Sequence, residues 1–295
     1  MTHAMEHAAS PTTDPHPRGA ATSPTAIGRM ATWLAASAGG LALAAALAGL
    51  LVDDVYAGDV STAEMFRGFD LVTAMAVVPG LAWAMHSARN GSARARLIVS
   101  GLLAYLIYTY AYYLFGTGFN DLFLLHVAVF AAALSAFTLS LVTADAGPAA
   151  ERSGSRVIAG ILGALAVALG GMWVYLAASN AATGGVPAGS RLVETDTIVH
   201  LGMALDLSLL VPLYATTAVL LWRRMRWGSV LAAVALVAGL LHQVDYIVAM
   251  PFQVAADVPG AVPYDPVEPV IVVLYLAATA LLFRRGGRPR PGRGW

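Results

Sequence analysis

Six ionisable side chains stand inside apolar runs of this sequence at one counted depth. Asp206 lies 17 positions before Arg223, and Glu268 lies 16 before Arg284. His242 and Asp245 lie 16 and 19 positions after Arg226. Asp70 lies 19 before Arg89, and His126 lies 19 before Asp145. At the helical rise this places all six about 24–29 Å from the basic ends, in one layer toward the opposite face. Ionisable groups in an apolar span are costly and default to function. The bland alternative is a carboxylate or imidazole satisfied by a neighbouring helix.

Each group suggests its own chemistry. Asp206, set in Leu201–Pro212, suits a proton relay or a cation ligand, and Pro212 frees the carbonyl of Ser208 one turn away. His242 and Asp245 are three apart and share a helical face, so the carboxylate can orient the imidazole. Gln243 is expected to point elsewhere. Asp196 and His200 repeat the pairing nearer water. Tyr105 and Tyr108, also three apart, are expected to line a cavity, and Asp70 and Glu268 are further candidates for binding a ligand or ion. His126, His242 and His200 with a carboxylate could ligate zinc or another first-row metal, or two of the imidazoles could ligate haem. No HExxH or comparable spacing backs a metal, so the cofactor is left open.

The elements that must position these groups are apolar and long. Of 295 residues, 58% are hydrophobic and 12% charged, against about a quarter charged in soluble domains. Eight segments fit the roughly 20 residues of a membrane span: Met30–Val52, Phe66–His86, Leu97–Phe115, Phe119–Thr143, Val157–Ala178, Ile198–Trp222, Trp227–Met250 and Val267–Phe283. Fifteen of seventeen arginines fall on one face of that alternation; only Arg67 and Arg191 fall on the other. Short Arg-rich loops stay cytoplasmic, so both termini are expected inside. The fold expected is an all-α, polytopic membrane bundle over 29–285, with polar tails at 1–28 and 286–295 unable to bury a core.

Trp33, Trp83, Trp222 and Trp227 are expected at the inner interface, and Tyr112, Tyr113, Trp173 and Tyr175 at the outer. Gly39, Gly40, Gly160, Gly163, Gly170 and Gly171 suit close helix packing, and Pro79 and Pro212 suit kinks. Asp70-Leu71 before Pro79, and Asp206-Leu207 before Pro212, hint at a parallel repeat of four spans plus four.

Composition also excludes. Without cysteine there are no disulfides, iron–sulfur clusters or thiolate zinc sites. Without lysine there is no Schiff base. The basic face reads as topology and a contact with anionic lipid; no nucleic-acid module surrounds it. The Ala, Gly, Val and Arg bias, with no lysine, suggests a GC-rich bacterial genome, and the expected location is the bacterial plasma membrane. The expected partners are the bilayer and a small molecule or ion, and a homo-oligomer is left open.

The run Tyr108-Thr109-Tyr110-Ala111-Tyr112-Tyr113-Leu114-Phe115-Gly116, then Phe119-Asn120, resembles a family of bacterial multi-spanning membrane proteins. So does Ala204-Leu205-Asp206-Leu207 ahead of Pro212. The resemblance loosely covers spans two to seven. His126 departs from it, since Tyr is expected there. The family has no assigned activity, so the resemblance implies no mechanism.

Three readings remain open on the sequence. One is transport of a small solute or ion through the outer polar layer, although the inner half offers no matching polar path. Another is a membrane enzyme using metal-bound water held by His126, His242 and a carboxylate. The third is a non-catalytic accessory or sensor protein that binds a ligand.

Overall fold

The computed structural model describes residues 24–144, 155–185 and 190–284. Among these, 82% of the chain is helical and no strand occurs. Asp145, Arg152, the C-terminal tail and most of the N-terminal tail lie outside the described residues.

In chain order the helices are α1 (Pro24–Leu51), α2 (Val60–Val72), α3 (Val78–Arg89), α4 (Ala93–Phe115), α5 (Phe123–Val142), α6 (Ser155–Thr183), α7 (Asp196–Leu205), α8 (Val211–Trp222), α9 (Gly228–Ala255) and α10 (Val267–Phe283). α1 takes in residues 24–28, which the sequence reading had put in the tail. α2 and α3 run on as one rod through a π-helical turn, Thr73–Val77. α7 and α8 do the same through Asp206–Leu210. Seven rods of 20–30 residues are long and apolar enough to cross a membrane, and α10 is a shorter apolar helix. Large apolar side chains face outward along them, among them Trp33, Trp83, Leu124, Val167 and Trp222. A water-soluble surface does not spread apolar groups this way; this is a helical membrane bundle.

The two π turns have a common local cause. Pro79 and Pro212 each stand at the second position of the helix that follows. A proline there donates no hydrogen bond and its ring crowds the carbonyl four residues back. The chain answers by widening the turn before it. Val78 N–H reaches back to Thr73 O, and Val211 N–H reaches back to Asp206 O, five residues away in both cases. The expected irregularities at these prolines are therefore π turns, a form common at functional sites.

Two groups of four rods make up the bundle. In the first, α1 packs on α5 and α2, α3 on α4, and α4 on α5. In the second, α6 packs on α8 and α10, α8 on α9, and α9 on α10. The groups meet where α9 packs along α2 and α4. Gly68 lets that seam close, because a Cβ there would lie 2.4 Å from the Ala249 Cα. α4 is the most enclosed rod, with 72% of its apolar window buried.

Candidate functional site

Three carboxylates that the sequence set at one level have separate surroundings. Asp70, Asp206 and Asp245 each lie ten positions in from the end of their rod that is remote from the Arg-bearing turns, roughly 15 Å along the axis. Each is buried and each accepts from aromatic donors.

Asp70 belongs to the first group. Its oxygens accept from the Tyr56 hydroxyl at 2.6 Å and the Tyr113 hydroxyl at 2.9 Å. His126 is fully buried beside it. Its ring lies 4.7 Å from Tyr113, 5.6 Å from Tyr110 and 6.3 Å from Tyr56, centre to centre. Neither of its nitrogens has a hydrogen-bond partner among the described residues. The space around Asp70 is filled with rings, so it is packed core and not a binding cleft.

Asp245 sits at the seam. Tyr105 donates to it at 2.9 Å, and the Tyr105 hydroxyl also lies 3.3 Å from Thr73 Oγ1, at the start of the first π turn. The other Asp245 oxygen faces His242 Nδ1 at 4.0 Å, and neither of those two atoms has a hydrogen-bond partner among the described residues.

Asp206 faces an opening. A cavity of about 240 Å³ lies among α6, the α7–α8 rod, α9 and α10. Its polar lining is Ser190, Glu194, Asp206, His242, Gln243 and Glu268. Trp173, Tyr214, Tyr246 and Tyr275 supply rings, and among the described residues no arginine borders it. Trp173 Nε1 donates to Asp206 Oδ2 at 2.7 Å, and the Tyr108 hydroxyl donates to Oδ1. Tyr214 and Tyr275 close the inner end, their hydroxyls 2.7 Å apart. They do so across Gly239 of α9, where a Cβ would meet the Tyr214 hydroxyl at 2.5 Å.

The loop before α7 forms the outer rim. Glu194 accepts from Ser190 Oγ and the Tyr246 hydroxyl, both at 3.1 Å. Burial pushes its carboxyl up to about 7, and those two hydrogen bonds oppose the rise. Gln253 of α9 ties the loop down. Its amide donates to the Val193 carbonyl at 2.7 Å and the Ser61 carbonyl at 2.9 Å, and its oxygen accepts from Val193 N–H at 3.0 Å.

Several expectations change on this geometry. Of the ligand candidates, Asp206, His242 and Glu268 line the cavity, whereas Asp70 and Asp245 do not. Tyr105 and Tyr108 are not lining residues; they are donors behind it. Gln243 does line it, while Asp245, which shares the His242 face by spacing, stands behind. His200 is exposed on α7. His126 and His242 pack against different rings, the latter against Tyr108 at 4.6 Å and Tyr246 at 5.2 Å. Among the described residues no group of three His, Asp or Glu is placed to hold a metal ion. Tyr112, Tyr113 and Trp173 are buried and not at a lipid interface; Tyr175, Trp33, Trp83, Trp222 and Trp227 are exposed as a belt requires. Glu194, Tyr214, Tyr246, Gln253 and Tyr275 were not foreseen as site residues.

Comparison with protein-family models, with curated proteins and with solved structures finds no match to this chain.

Proposed function

We propose that the chain is an eight-span protein of a bacterial plasma membrane that admits a small solute or ion from the outer side into the cavity beside Asp206, and moves it across. The eighth span is α10, whose 17 residues reach about 25 Å and suffice with modest tilt or local thinning. The Arg-bearing turns between α3 and α4 and between α8 and α9 lie inside. Glu194, Ser190 and the first turn of α10 then form an outward mouth.

The observation that carries this reading is the cavity itself, with three carboxyl groups and His242 around an opening, whereas Asp70 in the first group is enclosed by rings. The four pairings that recur in each group support a repeat of four spans plus four. In such an arrangement two related halves can tilt against each other around a fixed site, as transporters do. The two π turns give each half a weakened point in its second rod, one of them carrying Asp206.

The test is current and flux in liposomes holding the purified chain, challenged in turn with sodium, potassium, ammonium, choline and neutral amino acids. At least one is expected to cross, and Asp206→Asn is expected to abolish its passage. Absence of passage for every one of them in the native chain would refute transport.

A further inference from the structure

We propose that the cavity beside Asp206 binds a small alkylammonium cation, with Asp206, Glu194 and Glu268 as counter-charges and Trp173, Tyr214 and Tyr246 as aromatic surface. The inference rests on reading that cavity as a ligand site, and names the class of ligand.

Charge decides the sign. Three carboxyl groups border about 240 Å³ and, among the described residues, no arginine does, while lysine is absent from the chain. An anion would find no counter-charge among the lining residues. Size decides the scale, since drug-like ligands occupy roughly 300–1,000 Å³ and this volume is smaller.

Hydrogen bonding separates an organic cation from the alternatives. A metal ion needs several oxygens or nitrogens turned toward one point. Here both oxygens of Asp206 already accept from Trp173 and Tyr108, and those of Glu194 accept from Ser190 and Tyr246. No trio of His, Asp or Glu is placed to hold a metal among the described residues. A sugar would draw on the same carboxylate oxygens for its hydroxyls. An alkylated ammonium asks for neither; it needs negative field and π surface, which is the aromatic-cage chemistry of quaternary ammonium recognition. Among the described residues one carboxylate oxygen of a lining residue, Glu268 Oε2, has no hydrogen-bond partner. Glu268 lies in the first turn of α10 and lines the cavity, so that buried oxygen is available to a cation held inside.

Choline chloride is the probe, titrated into the full chain in maltoside detergent, with Trp173 fluorescence and calorimetry as readouts. Sodium chloride and the uncharged carbon isostere of choline serve as controls. Choline is expected to bind and the isostere to bind at least tenfold more weakly. Glu268→Gln breaks no protein hydrogen bond at Oε2, so it is expected to weaken choline at least fivefold with an unchanged melting temperature. Trp173→Phe, judged by calorimetry, is expected to weaken it further. Equal binding of the isostere, displacement by equimolar sodium, or no binding would overturn the proposal.

Adding a short-chain phosphatidylcholine asks where the ammonium comes from. Competition with choline identifies a lipid headgroup as a ligand of the same chemistry, and absence of competition leaves a free solute. The two proposals can fail separately. Choline binding without flux removes transport and keeps the ligand class. Flux of another solute that depends on Asp206, without choline binding, does the reverse.

Discussion

Asp206 owes its position to two donors on different rods, Tyr108 on α4 and Trp173 on α6. Removing one leaves a buried carboxylate short of a partner, which costs about 1–3 kcal/mol. Tyr108→Phe is therefore expected to lower the melting temperature of the purified protein clearly. Tyr110→Phe, which loses only a 3.4 Å contact to the Ala42 carbonyl, is expected to lower it far less. Glu194 gives a pH signature. Its carboxyl, raised by burial from an ordinary 4.5 to about 7, holds a proton in the folded chain that the unfolded chain has released. Stability should then fall as pH rises from about 4.5 to about 7 and level off above. The groups that face Glu194 are Tyr246 on α9, Asp206 in the second π turn, Glu268 on α10 and Tyr112 on α4. Melting temperatures across that range are expected to lose this slope in Glu194→Gln. Choline affinity should rise over the same range in the native chain, as Glu194 gains its charge. Asp206, His242 and Glu268 were legible as site residues because a charge or imidazole in an apolar run is conspicuous. Glu194 was not, because nothing local reveals that Gln253, sixty positions away, draws its loop over the cavity. Trp173 was misread because α6 is apolar all round, and periodicity then leaves its buried face undefined.

Pro79 and Pro212 mark the rods that carry π turns, and their presence in the sequence was enough to expect a defect. The kind of defect was not readable, because a proline fixes a missing hydrogen bond and leaves open whether the turn before it kinks or widens. Helix bounds shifted outward for a simpler reason. α2 starts at Val60, six residues before the apolar run, where Asp59 caps it through the Ser61 N–H at 2.8 Å; those bonds hold the Asp59 carboxyl below its usual range. A polar first turn continues the helix into the headgroup region, and hydropathy alone cuts it off. The glycines divide by what they face. Gly40, Gly160 and Gly171 have nothing within 4 Å of an added Cβ, whereas Gly68 would strike the backbone of Ala249. Gly68→Ala is thus expected to destabilise by about 1–3 kcal/mol, as overpacking of a closed contact does. Gly40→Ala, in open space inside α1, should leave stability unchanged or raise it by up to about 1 kcal/mol. Thermal unfolding of the two variants in one detergent compares them directly; equal melting temperatures would place the α2–α9 seam elsewhere.

Among the described residues, arginines collect at one set of rod ends and carboxylates at the other. Arg67, one of the two exceptions, is paired at the acidic side with Asp53 at 3.5 Å and Glu64 at 3.7 Å. Arg156 at the start of α6 lies 5.7 Å from the ring of Trp222 at the end of α8, joining two basic ends. This polarity and the helical class were legible because they depend on composition and spacing along each rod. The unequal filling of the two groups was not, since it depends on which rods meet. Tyr56, Tyr110, Tyr113 and His126 fill the first group, and the second is left open around Asp206. The account stands on that opening facing outward. Because the native chain has no cysteine, single cysteines can report on it without background. Gln243→Cys lines the cavity midway along α9, and Met225→Cys lies in the Arg-rich turn. In intact cells a membrane-impermeant thiol reagent is expected to label position 243 and to label position 225 only after permeabilisation. Labelling at 225 from outside, or at 243 only once the membrane is opened, would contradict it.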